Sequence, residues 1–272
     1  MSSQLHKLEG AGNDFVLGFG PWAERLEGEP DLVRRLCDRR RGIGADGTLA
    51  LEVVTSDRVR LGYRNADGSR GDFCANGTRC AARVAVDILG CNPKLTVETD
   101  WAEIAAEVAG SQVSLELPKP GRDPSPLEVA PPAGASSMRL MEVGVPHLVV
   151  AWTGLGDIDL AAVAPQLRSH PALGREGANV DFYEVTDDGV VALRTWERGV
   201  EGETLSCGSG MVAVALVVMT DRGSRSVELA PLSGDRLVVE ALGEPPSCAT
   251  RLTGPTRFVA TIEPSDELLT DF

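Results

Sequence analysis

The sequence predicts an α/β (α+β) fold of two pseudo-symmetric domains, each a mixed or antiparallel sheet or barrel wrapped around a central buried helix. Three observations predict it. First, motifs recur. Gly10-Ala11-Gly12-Asn13-Asp14-Phe15, Arg41-Gly42-Ile43-Gly44-Ala45-Asp46 and Cys74-Ala75-Asn76-Gly77 are echoed by Gly144-Val145-Pro146-His147, Arg175-Glu176-Gly177-Ala178-Asn179-Val180-Asp181 and Cys207-Gly208-Ser209-Gly210. The offsets nearly agree, at 134 for Gly10/Gly144, 135 for Asp46/Asp181 and 133 for Cys74/Cys207. Three weak matches at one offset indicate a tandem duplication, with the halves related by a pseudo-two-fold axis. Second, each Cys-x-x-Gly turn precedes a helical run. Third, alternating or apolar runs of strand length surround both helices.

Taken in order, Lys7 and Lys94 open strand-like segments. Gly42-Ile43-Gly44-Ala45-Asp46-Gly47 spells the G-x-G-x-x-G of a dinucleotide loop, but that loop needs a strand before it and a helix after it. Here Arg39-Arg40-Arg41 precede and the strand-like Leu49–Val54 follows, so nucleotide binding is not expected. Thr78–Leu89 reads as a helix with Arg79, Arg83 and Asp87 in a polar stripe. Val113–Leu117 alternates like a strand. From Pro118 to Ser137 six prolines with Gly and Ser mark a linker or long surface connection. Domains are therefore expected at 1–118, joined by a last strand at 259–272, and at 119–258. In the second half Leu148–Ala151 and Leu237–Glu240 read as strands. Met211–Met219 carries no charge, which predicts a helix buried on every side.

Composition excludes several functions. The net charge of −14 repels nucleic acid, and 4% aromatic residues leave few stacking platforms. No apolar run approaches the ~20 residues of a membrane helix. The N-terminus lacks an apolar signal core, so a cytosolic protein is expected. Six cysteines in such a chain do not form a disulfide framework. With no Cys-x-x-Cys and three histidines (His6, His147, His170), a metal site is not expected. Only three lysines are present, Lys7, Lys94 and Lys119, and none has a context that invites a pyridoxal Schiff base.

The chemistry gathers at the two turns. A cysteine just before a helix sits where backbone N–H groups and the helix dipole favour negative charge, and such positions lower thiol pKa values. Ala75, Gly77, Gly208 and Gly210 let an anion approach those amides. One such turn alone reads equally as a small core cysteine before an ordinary helix start. Two at equivalent repeat positions suit a reaction in which one thiolate removes a proton α to a carboxylate and the opposite thiol returns one.

These residues, together with Asn65-Ala66-Asp67-Gly68-Ser69, Glu197-Arg198-Gly199 and Gly202-Glu203-Thr204, resemble the diaminopimelate epimerase family over nearly the whole chain, from about Leu5 to Thr253-Gly254-Pro255. The resemblance implies a two-base epimerase that needs neither pyridoxal phosphate nor metal, binds no cofactor and interconverts LL- and meso-diaminopimelate, on the route to lysine and peptidoglycan. It implies a cytoplasmic homodimer whose partner is the small-molecule substrate, with no nucleic acid or membrane. It assigns Cys74 and Cys207 as acid/bases, and the amides of Ala75, Asn76, Gly208 and Ser209 to the reacting carboxylate. Asn13, Asn65, Asn179 and Arg198 would read the distal end of the substrate, with Asp46 also in the binding set. Glu197 would bind the reacting amino group near Cys207, and His147 would lie near Cys74. Three departures from the family's commonest pattern stand out: Val145 in place of Asn, Ala75 in place of Gly, and the additional Glu201. Three rival readings remain at this point: a racemase of another amino acid on the same scaffold, a dithiol redox or redox-sensing protein, and a non-catalytic binding protein, which would leave the duplicated thiol turns unexplained.

Overall fold

In the computed structural model, residues 4–270 are described. The chain divides into two units. One runs to Leu115 and resumes at Gly254; the other spans Glu116–Thr253.

The first unit is built on period-two alternation. Strand Leu5–Gly10 turns back as Asn13–Phe19. That strand runs parallel to Gly47–Thr55, which is antiparallel to Arg58–Asn65. Lys94–Glu98 then pairs parallel to Arg58–Asn65 and antiparallel to Glu103–Ala109. Strand Arg257–Ile262 closes on Leu5–Gly10. Successive side chains point to opposite faces. Val16 and Ala50 pack beneath helices Pro21–Gly28 and Pro30–Cys37, with Trp22, Leu26, Leu32 and Leu36. Phe15 and Leu49 point the other way, onto Gly77 of helix Ala75–Asp87. That helix touches strands on several sides and is buried from Ala75 to Ala82.

The second unit repeats the plan. Ala135–Val143 turns back as Val145–Trp152, parallel to Asn179–Val185, which is antiparallel to Val191–Glu197. Gly202–Thr204 and Ser226–Ala230 both pair with Val191–Glu197, and Leu237–Ala241 extends the sheet. Leu148, Val150, Val180 and Phe182 face helix Leu160–Arg168. The alternate residues His147, Asn179 and Asp181 therefore face the other way, where helix Gly208–Arg222 packs. Every side chain from Met211 to Met219 is buried, as its uncharged sequence requires. Burial of each large apolar side chain there contributes about 1.5–3 kcal/mol. Gly223, at φ 64°, ends the helix in a left-handed turn that favours glycine.

Two expectations need correction. The segment 118–137 is not wholly linker: Arg122–Pro126 forms a strand on Ala135–Val143. The end of the chain is not one strand over 259–272. The strand is Arg257–Ile262, and after Pro264 a short helix, Asp266–Thr270, begins. Pro264 lacks the N–H a continuing ladder needs, and the Ser265 hydroxyl accepts from the Leu268 N–H. The terminal residues 271–272 lie outside the described part. The turn between the paired strands is one residue long in the second unit and two in the first. The parallel pairs that follow nonetheless keep one register: Phe15 lies opposite Gly47 and Val149 opposite Asp181, 32 residues apart in each unit.

His6 supports a first prediction. It is 5% exposed, stacks on Phe19 at 5.4 Å and meets Phe258 at 5.5 Å. Burial lowers its pKa from the ordinary 6.5. The unfolded chain therefore binds the proton first as pH falls. The stability from burying neutral His6 is full above about 6.5 and is lost as pH drops through the folded-state value. His6→Phe is expected to flatten the pH dependence of the denaturant midpoint below that point. An unchanged slope would exonerate His6.

Candidate active site

Cys74 is the N-cap of helix Ala75–Asp87, with extended backbone at φ −144° and ψ 110°. The glycine at the third helical position packs closely. A Cβ at Gly77 would sit 2.9 Å from Leu49 and 3.4 Å from the Phe15 ring. Cys74 Sγ donates to Asn13 Oδ1 at 3.5 Å, and Asn13 Nδ2 donates to Asp46 Oδ2 at 2.6 Å. Asn13 is aimed by the hairpin turn Ala11-Gly12, both at positive φ (55° and 87°). Two left-handed residues in a row give a turn whose twist matches the strands it joins. Asp46 also accepts from the Asp14 N–H and from Arg39. Burial opposes ionisation of Asp14, but hydrogen bonds from Arg39 and Lys7 prevail and hold its pKa at about 2. The loop that carries Asp46 is therefore charge-locked on both sides.

Cys207 is likewise the N-cap of helix Gly208–Arg222, at φ −121° and ψ 114°. Its thiol lies 3.5 Å from Ser209 Oγ. His147 Nε2 lies 3.0 Å from the same hydroxyl, and His147 Nδ1 lies 2.7 Å from Asp181 Oδ2. Thr195 donates to Asp181 Oδ1 at 2.8 Å. All of these residues belong to the second unit, and the hydrogen bonds of His147 tie it to the Cys207 turn.

The expectation that a helix start lowers the thiol pKa is reversed at Cys207. Burial pushes this thiol well up, and the carboxylates of Glu197 and Asp181 push it further. Hydrogen bonds with Ser209 and the Gly210 N–H act the other way and do not prevail. Cys207 rests as a protonated thiol. Among the other cysteines, Cys37 and Cys80 are pushed by burial to about 12, as inert core thiols are.

The distal set divides between the units. Asn65 ends strand Arg58–Asn65; it accepts from the Tyr63 hydroxyl at 2.7 Å and donates to Ser69 Oγ at 3.0 Å. Asn76, 2% exposed, accepts from the fully buried Arg79 at 2.8 Å, so the sequence's polar stripe begins inside the core. In the second unit Asn179 Oδ1 accepts from the Arg198 N–H at 2.8 Å. The Arg198 guanidinium meets exposed Glu176 at 2.9 Å. Glu197 Oε1 accepts from Thr204 at 2.5 Å. The additional Glu201 sits left-handed at φ 52° in the turn after Arg198 and pairs with Arg168 at 2.6 Å.

The glycine loop at 42–47 is a helix stop. The N–H groups of Ile43 and Gly44 both bond to Leu36 O, at the end of helix Pro30–Cys37, and a strand follows. Among the described residues no group of three His, Cys, Asp or Glu side chains is arranged to hold a metal ion. No described helix is long and apolar enough to cross a membrane.

Comparison with known proteins gives the family. The sequence pattern described as diaminopimelate epimerase matches residues 6–115 and 139–259, which include both cysteine turns. The chain belongs to the diaminopimelate epimerase family. A diaminopimelate epimerase of Halorhodospira halophila is 34% identical over 268 residues, covering 93% of this chain and 92% of its own. One from Archaeoglobus fulgidus is 38% identical over 225 residues, covering 78% of this chain and 79% of its own. The chain is thus an isomerase, an epimerase by class. Among solved structures, a phenazine biosynthesis protein of the PhzF family from Enterococcus faecalis matches with a TM-score of 0.75 at 14% identity, covering 95% of this chain and 97% of that one. A probable proline racemase from Agrobacterium radiobacter matches with a TM-score of 0.67 at 15% identity, covering 98% and 94%. At such identities the likeness is one of fold.

Asp181, Thr195, Tyr63 and Thr204 are the polar partners that sequence reasoning did not place in this family's site. Asp181 had a signal, because it stood in the repeated motif. Thr204 also stood in a family motif, whereas Tyr63 and Thr195 lie within ordinary strands, and only pairing reveals them. Asp181 also explains Gly210. A Cβ there would come within 2.2 Å of Asp181 Oδ1. Gly210→Ala is expected to displace that carboxylate and cost about 1 kcal/mol or more of stability, an overpacking penalty. Denaturant unfolding checks it, and a midpoint equal to the parent's would show that Asp181 moves freely.

Proposed function

We propose that this enzyme inverts one α-carbon of diaminopimelate, interconverting the LL and meso forms, by two-base catalysis with Cys74 and Cys207. The observation that carries the reading is the pair of cysteine N-caps, one at the start of the central helix of each unit. Membership of the family supplies the substrate class. One thiolate removes the α-proton and the other thiol delivers a proton to the opposite face. The first-turn amides at Ala75-Asn76 and Gly208-Ser209 receive the carboxylate whose charge grows in the transition state. The two thiols exchange the roles of base and acid with the direction of the reaction.

Glu197 takes the reacting ammonium, and Arg198 with Asn13, Asn65 and Asn179 takes the distal amino acid end. His147 is bonded through Ser209 to the Cys207 turn, which makes it a partner of that thiol in this reading. No pyridoxal phosphate or metal enters the scheme. The enzyme is placed in the cytoplasm as a homodimer, feeding lysine and peptidoglycan synthesis. The deciding experiment measures α-proton exchange in deuterated solvent on meso-diaminopimelate and a panel of amino acids, with no added pyridoxal phosphate or metal. Exchange confined to diaminopimelate supports the reading. Preference for a monocarboxylic amino acid would replace the substrate, and Val145 would be the first residue to examine.

A further inference from the structure

A line of polar atoms leads from the Cys207 thiol into the sheet of the second unit. Cys207 Sγ is 3.5 Å from Ser209 Oγ, which is 3.0 Å from His147 Nε2. His147 Nδ1 is 2.7 Å from Asp181 Oδ2, and Thr195 donates to Asp181 Oδ1 at 2.8 Å. The His147 and Asp181 side chains are 0% exposed.

The donor inventory gives this line a direction. An ionised carboxylate only accepts, so Asp181 takes the Thr195 hydroxyl and the His147 Nδ1–H. A neutral imidazole with its proton on Nδ1 offers Nε2 as an acceptor. Ser209 O–H then donates to Nε2, and the Ser209 oxygen is left to accept the Cys207 S–H. Each bond runs the same way, from the thiol toward the carboxylate.

We propose that Ser209, His147 and Asp181 are positioning residues of Cys207 that form a proton relay, through which this thiol loses and regains its proton inside the second unit. The proposal rests on the two-base reading above and adds the route of one of its protons. When Cys207 must become a base, its S–H bond breaks as its proton bonds to Ser209 Oγ. The hydroxyl proton of Ser209 passes to His147 Nε2 in the same step. The products are a thiolate and an imidazolium, with no electron gained or lost. Asp181 stays ionised and balances the imidazolium. The reverse step restores the thiol.

The surroundings make such a relay useful. The charged and titratable groups that face this thiol are Glu197 on strand Val191–Glu197, Asp181 on Asn179–Val185 and His147 on Val145–Trp152. Two of the three are carboxylates that oppose a thiolate. A cation formed on His147 offsets them at the moment the thiolate appears. Cys74 is arranged differently. Its thiol meets the amide of Asn13, which neither gains nor loses a proton.

The test has two arms. The first needs no substrate: nitrogen-15 NMR of histidine-labelled protein at neutral pH reads which ring nitrogen of His147 carries the proton. The relay predicts Nδ1–H with a bare Nε2. The second arm compares pH profiles of kcat/KM for diaminopimelate. Ser209→Ala and Asp181→Asn are expected to lower kcat/KM about 10²-fold, the scale of a misplaced catalytic group, and to shift the profile. Asp181→Asn acts by letting an amide N–H meet Nδ1, which moves the ring proton to Nε2. Ser209→Thr keeps the hydroxyl and restores the parent profile. A proton on Nε2 in the parent protein overturns the relay. So do Ser209→Ala and Asp181→Asn enzymes with the parent's pH profile, whatever their absolute rates. A parent protein inert toward diaminopimelate that still shows the Nδ1–H form refutes the substrate and leaves the relay supported.

Discussion

Cys207→Ala and Cys74→Ala are each expected to abolish epimerisation while the fold survives. A general acid or base contributes about 10²–10⁴-fold, and each thiol has one of these roles in either direction. Alanine removes a single sulfur atom at each position. Cys207 caps a helix whose core begins at Met211, and Cys74 is only partly buried. Far-ultraviolet circular dichroism and the denaturant midpoint are thus expected to stay close to the parent's. Serine in either position retains a trace of activity, since a hydroxyl is a poorer base at neutral pH. The measurement is diaminopimelate epimerisation followed by chiral separation. Turnover near the parent's in either alanine enzyme would falsify the two-base scheme.

Arg198→Ala is expected to lower kcat/KM by about thirtyfold or more, close to 2 kcal/mol, the cost of truncating one partner of a charged hydrogen bond. The guanidinium is 25% exposed and rests on Glu176, itself 81% exposed. Such an ion pair contributes only ~0–1 kcal/mol on its own, so a loss of that size has to come from the substrate. The Arg198 N–H is held by Asn179, which anchors the backbone that presents the side chain. Arginine's planar fork matches a carboxylate at two points. Arg198→Lys keeps the charge and loses the fork, and is expected to be poor as well. Because remote contacts orient the reacting carbon, kcat falls along with binding. Steady-state kinetics of both variants decide it. A change under threefold in each would remove Arg198 from the distal site.

Much of the molecule was legible in the chain. The uncharged run Met211–Met219 has no solvent-compatible face, and it is buried throughout. The Cys-x-x-Gly turns could be read because N-caps and small residues act locally, within one helical turn. The repeat was legible as motifs, but the one-residue difference between its two hairpin turns was not, because strand ends are set by pairing.

The amino-acid sequence alone singled out the residues on which the proposed chemistry rests: two cysteines before buried helices, and the asparagines, glutamate and arginine of the family motifs. Tertiary structure decided what each of those groups is chemically. A helix start favours a thiolate, yet Cys207 is 8% exposed and shares its surroundings with Glu197 and Asp181, so burial and charge override the local effect. The same holds for His147. In the chain it is a histidine after a proline. In the fold, strand alternation turns it inward, and pairing of Val145–Trp152 with Asn179–Val185 brings Asp181 to its Nδ1 while helix Gly208–Arg222 brings Ser209 to its Nε2. Residues 34 and 62 positions away set its hydrogen bonds. Contacts over that distance depend on how strands and helices pack, and no local pattern in the sequence encodes them.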